Sequence, residues 1–132
     1  MTRDIQKRGV IIIPASADPW PHERRVARIL ALAGHRVEFI PEANIKMPDF
    51  YIDGVRYEIK SPVSGKVRAI ERNLARGLNK NCTNIVFDSS RMKVRDDQIL
   101  RELIKRRRIG KGLKKLLFIN KRGMIIDIEA MI

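Results

Sequence analysis

One cysteine, Cys82, and two histidines, His22 and His35, are all that 132 residues provide of the softer metal ligands. That scarcity excludes an intramolecular disulfide, a cysteine-rich zinc site and a histidine-rich metal cage. Aromatic residues make up 5% of the chain, with Trp20 the single tryptophan, which argues against a protein that binds single strands mainly by base stacking. No apolar run approaches the ~20 residues of a membrane-spanning helix, and Val10-Ile11-Ile12-Ile13 is too short for the core of a signal peptide. The chain is expected to fold in the cytoplasm, and to leave it only by a route this sequence does not encode. No expected helix pairs a broad apolar face with a basic one, which disfavours a membrane-active protein.

Acid is scarce as well. Against 28 basic residues stand 15 acidic ones, a net charge of +13 and a pI near 10.6, which points to a polyanionic partner, nucleic acid ahead of an anionic membrane or an acidic protein. The excess lies late in the chain: residues 91–122 hold 13 basic and 3 acidic residues, whereas residues 1–65 are nearly balanced. Length and a 44% hydrophobic content suit one domain over residues 1–132 with a core that needs no covalent staples. Within it we expect an N-terminal extension over 1–19 with a short strand, a core over 20–120 and a closing hairpin over 115–129.

The most informative stretch is Met47 to Pro62, MPDFYIDGVRYEIKSP. Asp53-Gly54 suits a two-residue type I′ turn, where both central residues need φ > 0, and the flanking runs alternate as hairpin strands do. Alternation puts Phe50, Ile52, Val55, Tyr57 and Ile59 on one face, and Asp49, Tyr51, Arg56, Glu58 and Lys60 on the other. A two-residue loop sets Asp49 opposite Glu58, and like charges so placed destabilise a sheet. Two readings stay open. In one the charged face is solvated and its acids pair with Arg56 and Lys60. In the other the carboxylates share a hard divalent cation, with Lys60 two residues past Glu58 able to reach whatever the cation holds.

Other elements follow from period and punctuation. A first helix should run from Pro21, with Gly34 as its C′ residue and an inward stripe of Val26, Ala27, Leu30 and Ala33. Glu23 shares that stripe, either to favour the helix dipole or to reach a metal over the sheet. Arg36 to Ile40 reads as a strand. Ser64 can cap a second helix over about 66–78, packed through Val67, Ile70, Leu74 and Leu78, with Arg68, Arg72 and Arg76 spaced along its outer face as a ridge for phosphates or as a solvated face. Thr83 to Asp88 suggests a strand buried on both faces. A third helix over about 95–108 opens with Asp96-Asp97 and ends in Lys105-Arg106-Arg107-Arg108, more cations than a dipole requires, so these four are read as phosphate contacts. A hairpin over Leu116 to Ile128 closes the chain.

Pro48-Asp49 followed by Glu58-Ile59-Lys60 resembles the motif of the PD-(D/E)XK nuclease superfamily. The HERR, PDFYIDGVRYEIKSP and NIVFD segments resemble the C-terminal tRNA nuclease domain of contact-dependent growth inhibition toxins, over roughly Trp20 to Phe118. The resemblance implies an α/β fold with a PD-(D/E)XK endonuclease-like core, a central mixed β-sheet flanked by helices. It implies a metal-dependent endoribonuclease that cleaves tRNA, with Glu23, Asp49, Glu58 and Lys60 catalytic and the three acids holding magnesium or manganese, or else zinc. His22, Ser61 and Asn81 become candidate substrate contacts beside the basic residues named above, Asn81 because a glutamine often stands near that position in the family. The implied partners are tRNA or another nucleic acid and an acidic cognate immunity protein, and the implied place of action is the cytoplasm of a target cell. Relatives in the superfamily cut DNA, so a DNA endonuclease for repair, restriction or junction resolution is one alternative, and a non-catalytic basic nucleic-acid-binding module is another.

Overall fold

The computed structural model describes residues 9–41, 49–79, 82–110 and 112–132; the side chains of Asp49 and of residues 77–79 lie outside that description. The fold is mixed α/β, with seven strands in the order β1-β2-β3-β4-β5-β6-β7 and three α-helices. Two compact units divide the chain between Arg56 and Tyr57. No described helix is long and apolar enough to cross a membrane.

In the first unit β1 (Ile11–Ile12) runs parallel to β2 (Val37–Phe39), and α1 (Pro21–Leu32) makes the crossover between them. Proline suits the first helical position, where its missing N–H would have had no partner. Val26, Ala27, Leu30 and Ala31 are buried. Ala33, expected on that stripe, is exposed because the helix has already ended. Gly34 adopts φ 99°, donating to the Ala31 carbonyl at 2.9 Å, while His35 N–H reaches back to Leu30 at 3.1 Å. These two bonds form a Schellman motif, which places Gly34 at C′ as the sequence predicts. β2 pairs antiparallel with β3 (Asp49–Ile52), setting Phe39 opposite Phe50 with stacked rings 5.7 Å apart.

Asp53 and Gly54 have φ of 51° and 81°, the combination that a type I′ turn requires. The Asp53 carboxylate accepts from the Arg36 amide at 2.8 Å and from His35 Nδ1 at 2.7 Å. The turn is therefore tied to the residues that enter β2.

The second unit contains two repeats of one arrangement, a parallel strand pair joined over a helix. β4 (Val55–Lys60) is parallel to β5 (Asn84–Asp88) with α2 (Arg68–Asn79) between them, and β5 is parallel to β6 (Lys115–Ile119) with α3 (Asp96–Ile109) between them. Ile70 and Leu74 of α2, Ile99 and Leu103 of α3, and Ile85, Phe87, Leu116 and Phe118 of the strands form its core. Val86, Leu117 and Ile119 are buried as well, so β5 and β6 are covered on both faces, as parallel strands usually are. β6 turns at Asn120–Gly123 into antiparallel β7 (Ile125–Asp127), after which the chain closes in a 3₁₀ turn (Ile128–Met131) rather than a longer strand.

Two further expectations are corrected. Val55, assigned to the core face, is 47% exposed, since it begins its strand directly after the turn. Ser64 does not cap α2, which starts four residues later; its Oγ accepts from Lys66 N–H at 3.0 Å, and its backbone bridges to Met92.

Gly54→Ala meets open space, with no atom within 4 Å of the added Cβ, so its cost is the left-handed backbone alone. We expect a loss of about 1 kcal/mol in chemical denaturation. Asp53→Ala should be pH-dependent. The Arg36 amide, then the His35 ring, hold the Asp53 carboxyl below its ordinary 3.8. A depressed folded pKa adds stability that is full above the ordinary value and lost as pH falls through the folded one. The gap between the parent and Asp53→Ala should therefore be constant near neutrality and close below about pH 4, as urea titrations at several pH values would measure.

Candidate active site

β4 is the strand on which the sequence motif falls, and from Tyr57 onward it is buried on both faces. Tyr57 and Ile59 are 6% exposed, Glu58 1% and Lys60 3%. Two residues apart on one strand, Glu58 and Lys60 project to the same side, and their positions are held by the parallel register with β5, Glu58 beside Ile85 and Lys60 beside Phe87. A solvated charged face does not describe this arrangement, because water barely reaches either group.

Lys60 Nζ lies 3.1 Å from Glu58 Oε1. The contact is an ion pair without hydrogen-bond alignment, and among the described residues neither Glu58 oxygen accepts a hydrogen bond. A buried carboxylate in that condition is costly, since desolvation of an ion exceeds what one counter-ion returns unless the remaining lone pairs are also used. Carboxylate oxygens without hydrogen bonds, Oε2 with no partner among the described residues and Oε1 with only the Lys60 ammonium near it, are donors of the kind hard divalent cations take. Among the described residues no group of three or more His, Cys, Asp or Glu side chains could hold a metal. Glu58 thus fits as one ligand of a cation, and the Asp49 side chain falls outside the described residues.

Beyond Lys60 the chain leaves β4 under tight control. Ser61, 7% exposed, donates its hydroxyl to Asp88 Oδ2 at 2.8 Å. Asp88, the fully buried last residue of β5, also accepts from Ser90 Oγ at 2.8 Å and Ser90 N–H at 3.1 Å. Arg91 donates Nε at 3.0 Å, together with Nη2, to the Ser61 carbonyl. Ser89 donates to Asp96 at 2.6 Å. Burial opposes ionisation of Asp96, but bonds from Ser89 and from the Lys121 amide and ammonium outweigh it and keep the carboxyl below its ordinary range. The carboxyl ends of β4 and β5 are thereby stapled together, and the carboxyl ends of parallel strands are where open α/β sheets place their ligands. Asp88 and Arg91 were not singled out from the sequence. The available signal was the Asp that closes the apolar NIVFD run, followed by Ser-Ser-Arg.

The remaining expected site residues are scattered over several elements. Glu23 is 5% exposed and spends Oε1 on the Trp20 amide at 2.5 Å, a helix-start bond. His22 is half-buried in the first turn of α1. Arg68, Arg72 and Arg76 are exposed on α2, and the last two line a groove of about 300 Å³ with Pro62, Val63 and Asn73. The cluster that ends α3 divides. Arg106 binds Glu102 at 2.6 Å and Glu71 at 2.8 Å, and Arg107 forms a two-pronged pair with Glu129 at 2.7 and 2.8 Å, while Lys105 and Arg108 stand exposed. Pro48 and Asn81 lie outside the described residues.

Removing one member of a buried ion pair is more harmful than removing both. Lys60→Met should lose about 3–5 kcal/mol, and Glu58→Met/Lys60→Met much less, in denaturation at pH 7.

The family described as the contact-dependent growth inhibition CdiA C-terminal domain matches residues 46–125, a span that includes the whole of β3, β4, α2, β5, α3 and β6. No curated protein matches the sequence. Among solved structures the chain is similar to one from a CdiA-CT/CdiI toxin and immunity complex of Burkholderia pseudomallei, with a TM-score of 0.64 and 23% identity over 89% of this chain and 98% of that one, a likeness of fold. With more than half of its residues matched, the chain belongs to the contact-dependent growth inhibition CdiA C-terminal domain family.

Proposed function

We propose that the chain is a toxin domain that acts as a metal-dependent endoribonuclease of the PD-(D/E)XK type, with tRNA as its substrate. The observation that carries this reading is Glu58, a carboxylate 1% exposed with neither oxygen hydrogen-bonded among the described residues, and Lys60 beside its Oε1 at 3.1 Å. A cost of that kind inside a sheet is retained where it serves chemistry. Family membership and the motif that runs from Asp49 to Lys60 support the reaction class, and the net charge of +13 supports a polyanionic substrate.

In this mechanism Glu58 and the Ile59 carbonyl, with Asp49 as the motif implies, would hold magnesium or manganese. Such an ion, when bound, polarises a phosphoryl oxygen and acidifies a water. Lys60 sits where its ammonium can exchange the Glu58 carboxylate for the phosphate oxygens on which charge gathers, an electrostatic contribution directed at the transition state. The stapling of Ser61 by Asp88 and Arg91 fixes the direction in which β4 delivers that ammonium. Low exposure around the pair strengthens each of these interactions. The likeness to a protein solved with its immunity partner supports an immunity protein for this chain too, the net charge of +13 supports an acidic one, and family membership supports action inside a target cell.

The test is incubation with total tRNA and, separately, with double-stranded DNA, under magnesium, manganese, zinc or chelator. Discrete tRNA fragments should form, disappear with chelator, and fall by at least about a hundredfold in Glu58→Gln and Lys60→Ala. Cleavage of DNA alone would overturn the substrate, and salt-sensitive binding with no cleavage of either would overturn the enzyme.

A further inference from the structure

The sole tryptophan of the chain is 64% exposed. An indole left in water forgoes most of the burial that favours large aromatics in cores, yet its backbone is closely held. Trp20 N–H donates to Glu23 at 2.5 Å, its carbonyl accepts from Arg24 N–H at 3.0 Å, and Arg24 Nε ties down the neighbouring Pro19 carbonyl at 3.2 Å. Pro19 and Pro21 restrict φ on either side. Only two side-chain torsions are left to be ordered on contact, so little entropy opposes docking onto the ring.

The surroundings suit a particular ligand. Asp18, Pro19, Trp20 and Pro21 line a recess of about 350 Å³, near the lower end of ligand pockets. Arg24 and Arg28 follow Trp20 at four-residue spacing along α1, and both are exposed. Arg24 Nη2 is 3.9 Å from the Asp18 carboxylate, a loose exposed contact worth little, so this end of the guanidinium can take a phosphate while Nε stays on the Pro19 carbonyl. An exposed indole between two prolines, with cations following it along one helix, matches a planar ring with the phosphates of the adjoining strand beside it.

We propose that Trp20 is a stacking platform for one unpaired nucleobase of the RNA that this chain binds, with Arg24 and Arg28 holding the adjoining phosphates. The inference rests on the nuclease reading for its ligand class, and it concerns binding rather than cleavage. It accords with the low aromatic content, since one platform anchors one base and shape and charge supply the rest of recognition.

Because Trp20 is the only tryptophan, intrinsic fluorescence reports on it alone. The intact protein in chelator is titrated with octauridylate, with a blunt RNA duplex and with polyglutamate, and Trp20→Ala and Trp20→Phe are assayed on tRNA. Quenching by octauridylate and not by the duplex is expected, and Trp20→Ala should raise KM for tRNA by roughly ten- to a hundredfold with Trp20→Phe recovering part of it. Equal quenching by duplex and single strand, or an unchanged KM in Trp20→Ala, overturns the platform while leaving the nuclease in place. Quenching by polyglutamate and not by octauridylate reassigns the face to an acidic protein and overturns it also. Octauridylate quenching in a protein that cleaves nothing upholds the platform and removes the nuclease.

Discussion

The burial of a carboxylate and an ammonium two residues apart on β4 is the constraint on which the second unit depends. Glu58 and Lys60 are 1% and 3% exposed, and a salt bridge so placed seldom adds stability over well-packed apolar residues. The surrounding core has to tolerate it. Two βαβ crossovers supply that tolerance, because Ile70, Ile85, Phe87, Ile99, Leu103, Leu116 and Phe118 form one apolar cluster, with Ile85 and Phe87 in register beside the pair. A fold with so firm a core can hold a costly charge pair in a fixed place.

Fixing the pair also requires fixing the chain that leaves it. Asp88 receives two hydroxyls and an amide, and Arg91 grips the Ser61 carbonyl, so the exits of β4 and β5 move as one piece. These bonds lie in a dry setting where hydrogen bonds polarise one another and an unmade bond is expensive. The same logic redistributes the positive charge. Arg106 and Arg107 are engaged by Glu71, Glu102 and Glu129, which joins α2 to α3 and α3 to the final 3₁₀ turn. Part of the late basic excess is thus structural. Exposed cations that remain include Arg24 and Arg28 of α1, Arg68, Arg72 and Arg76 of α2, and the two outer members of the cluster that ends α3, Lys105 and Arg108.

Much of the architecture was legible from local rules. α1 starts at Pro21 and ends through Gly34, the turn at Asp53-Gly54 has positive φ at both residues, and the NIVFD run is a strand buried on both faces. Each of these depends on neighbours in sequence: a missing N–H, an absent Cβ, an apolar run too dense for a half-exposed strand. Errors arose where a residue's role was decided from afar. Ser64 has the chemistry of a helix cap, but its backbone is drawn to Met92. Val55 has the parity of a core residue, but its place directly after the turn leaves it half in water.

Sequence by itself determined the class of the fold, the turn at Asp53-Gly54 and the sign of the chain's own net charge, because periodicity, turn chemistry and net charge are properties of the chain alone. Tertiary structure decided how dry the motif is and which cations are spoken for. The charged face of β4 could have been solvated at the same spacing, and only the packing of helices and strands around it removed the water. Likewise the partners of Arg106, Arg107 and Asp88 include Glu71, Glu129 and Ser61, each 22 or more residues away, a distance at which no local pattern carries information and only the folded chain can bring the charges together.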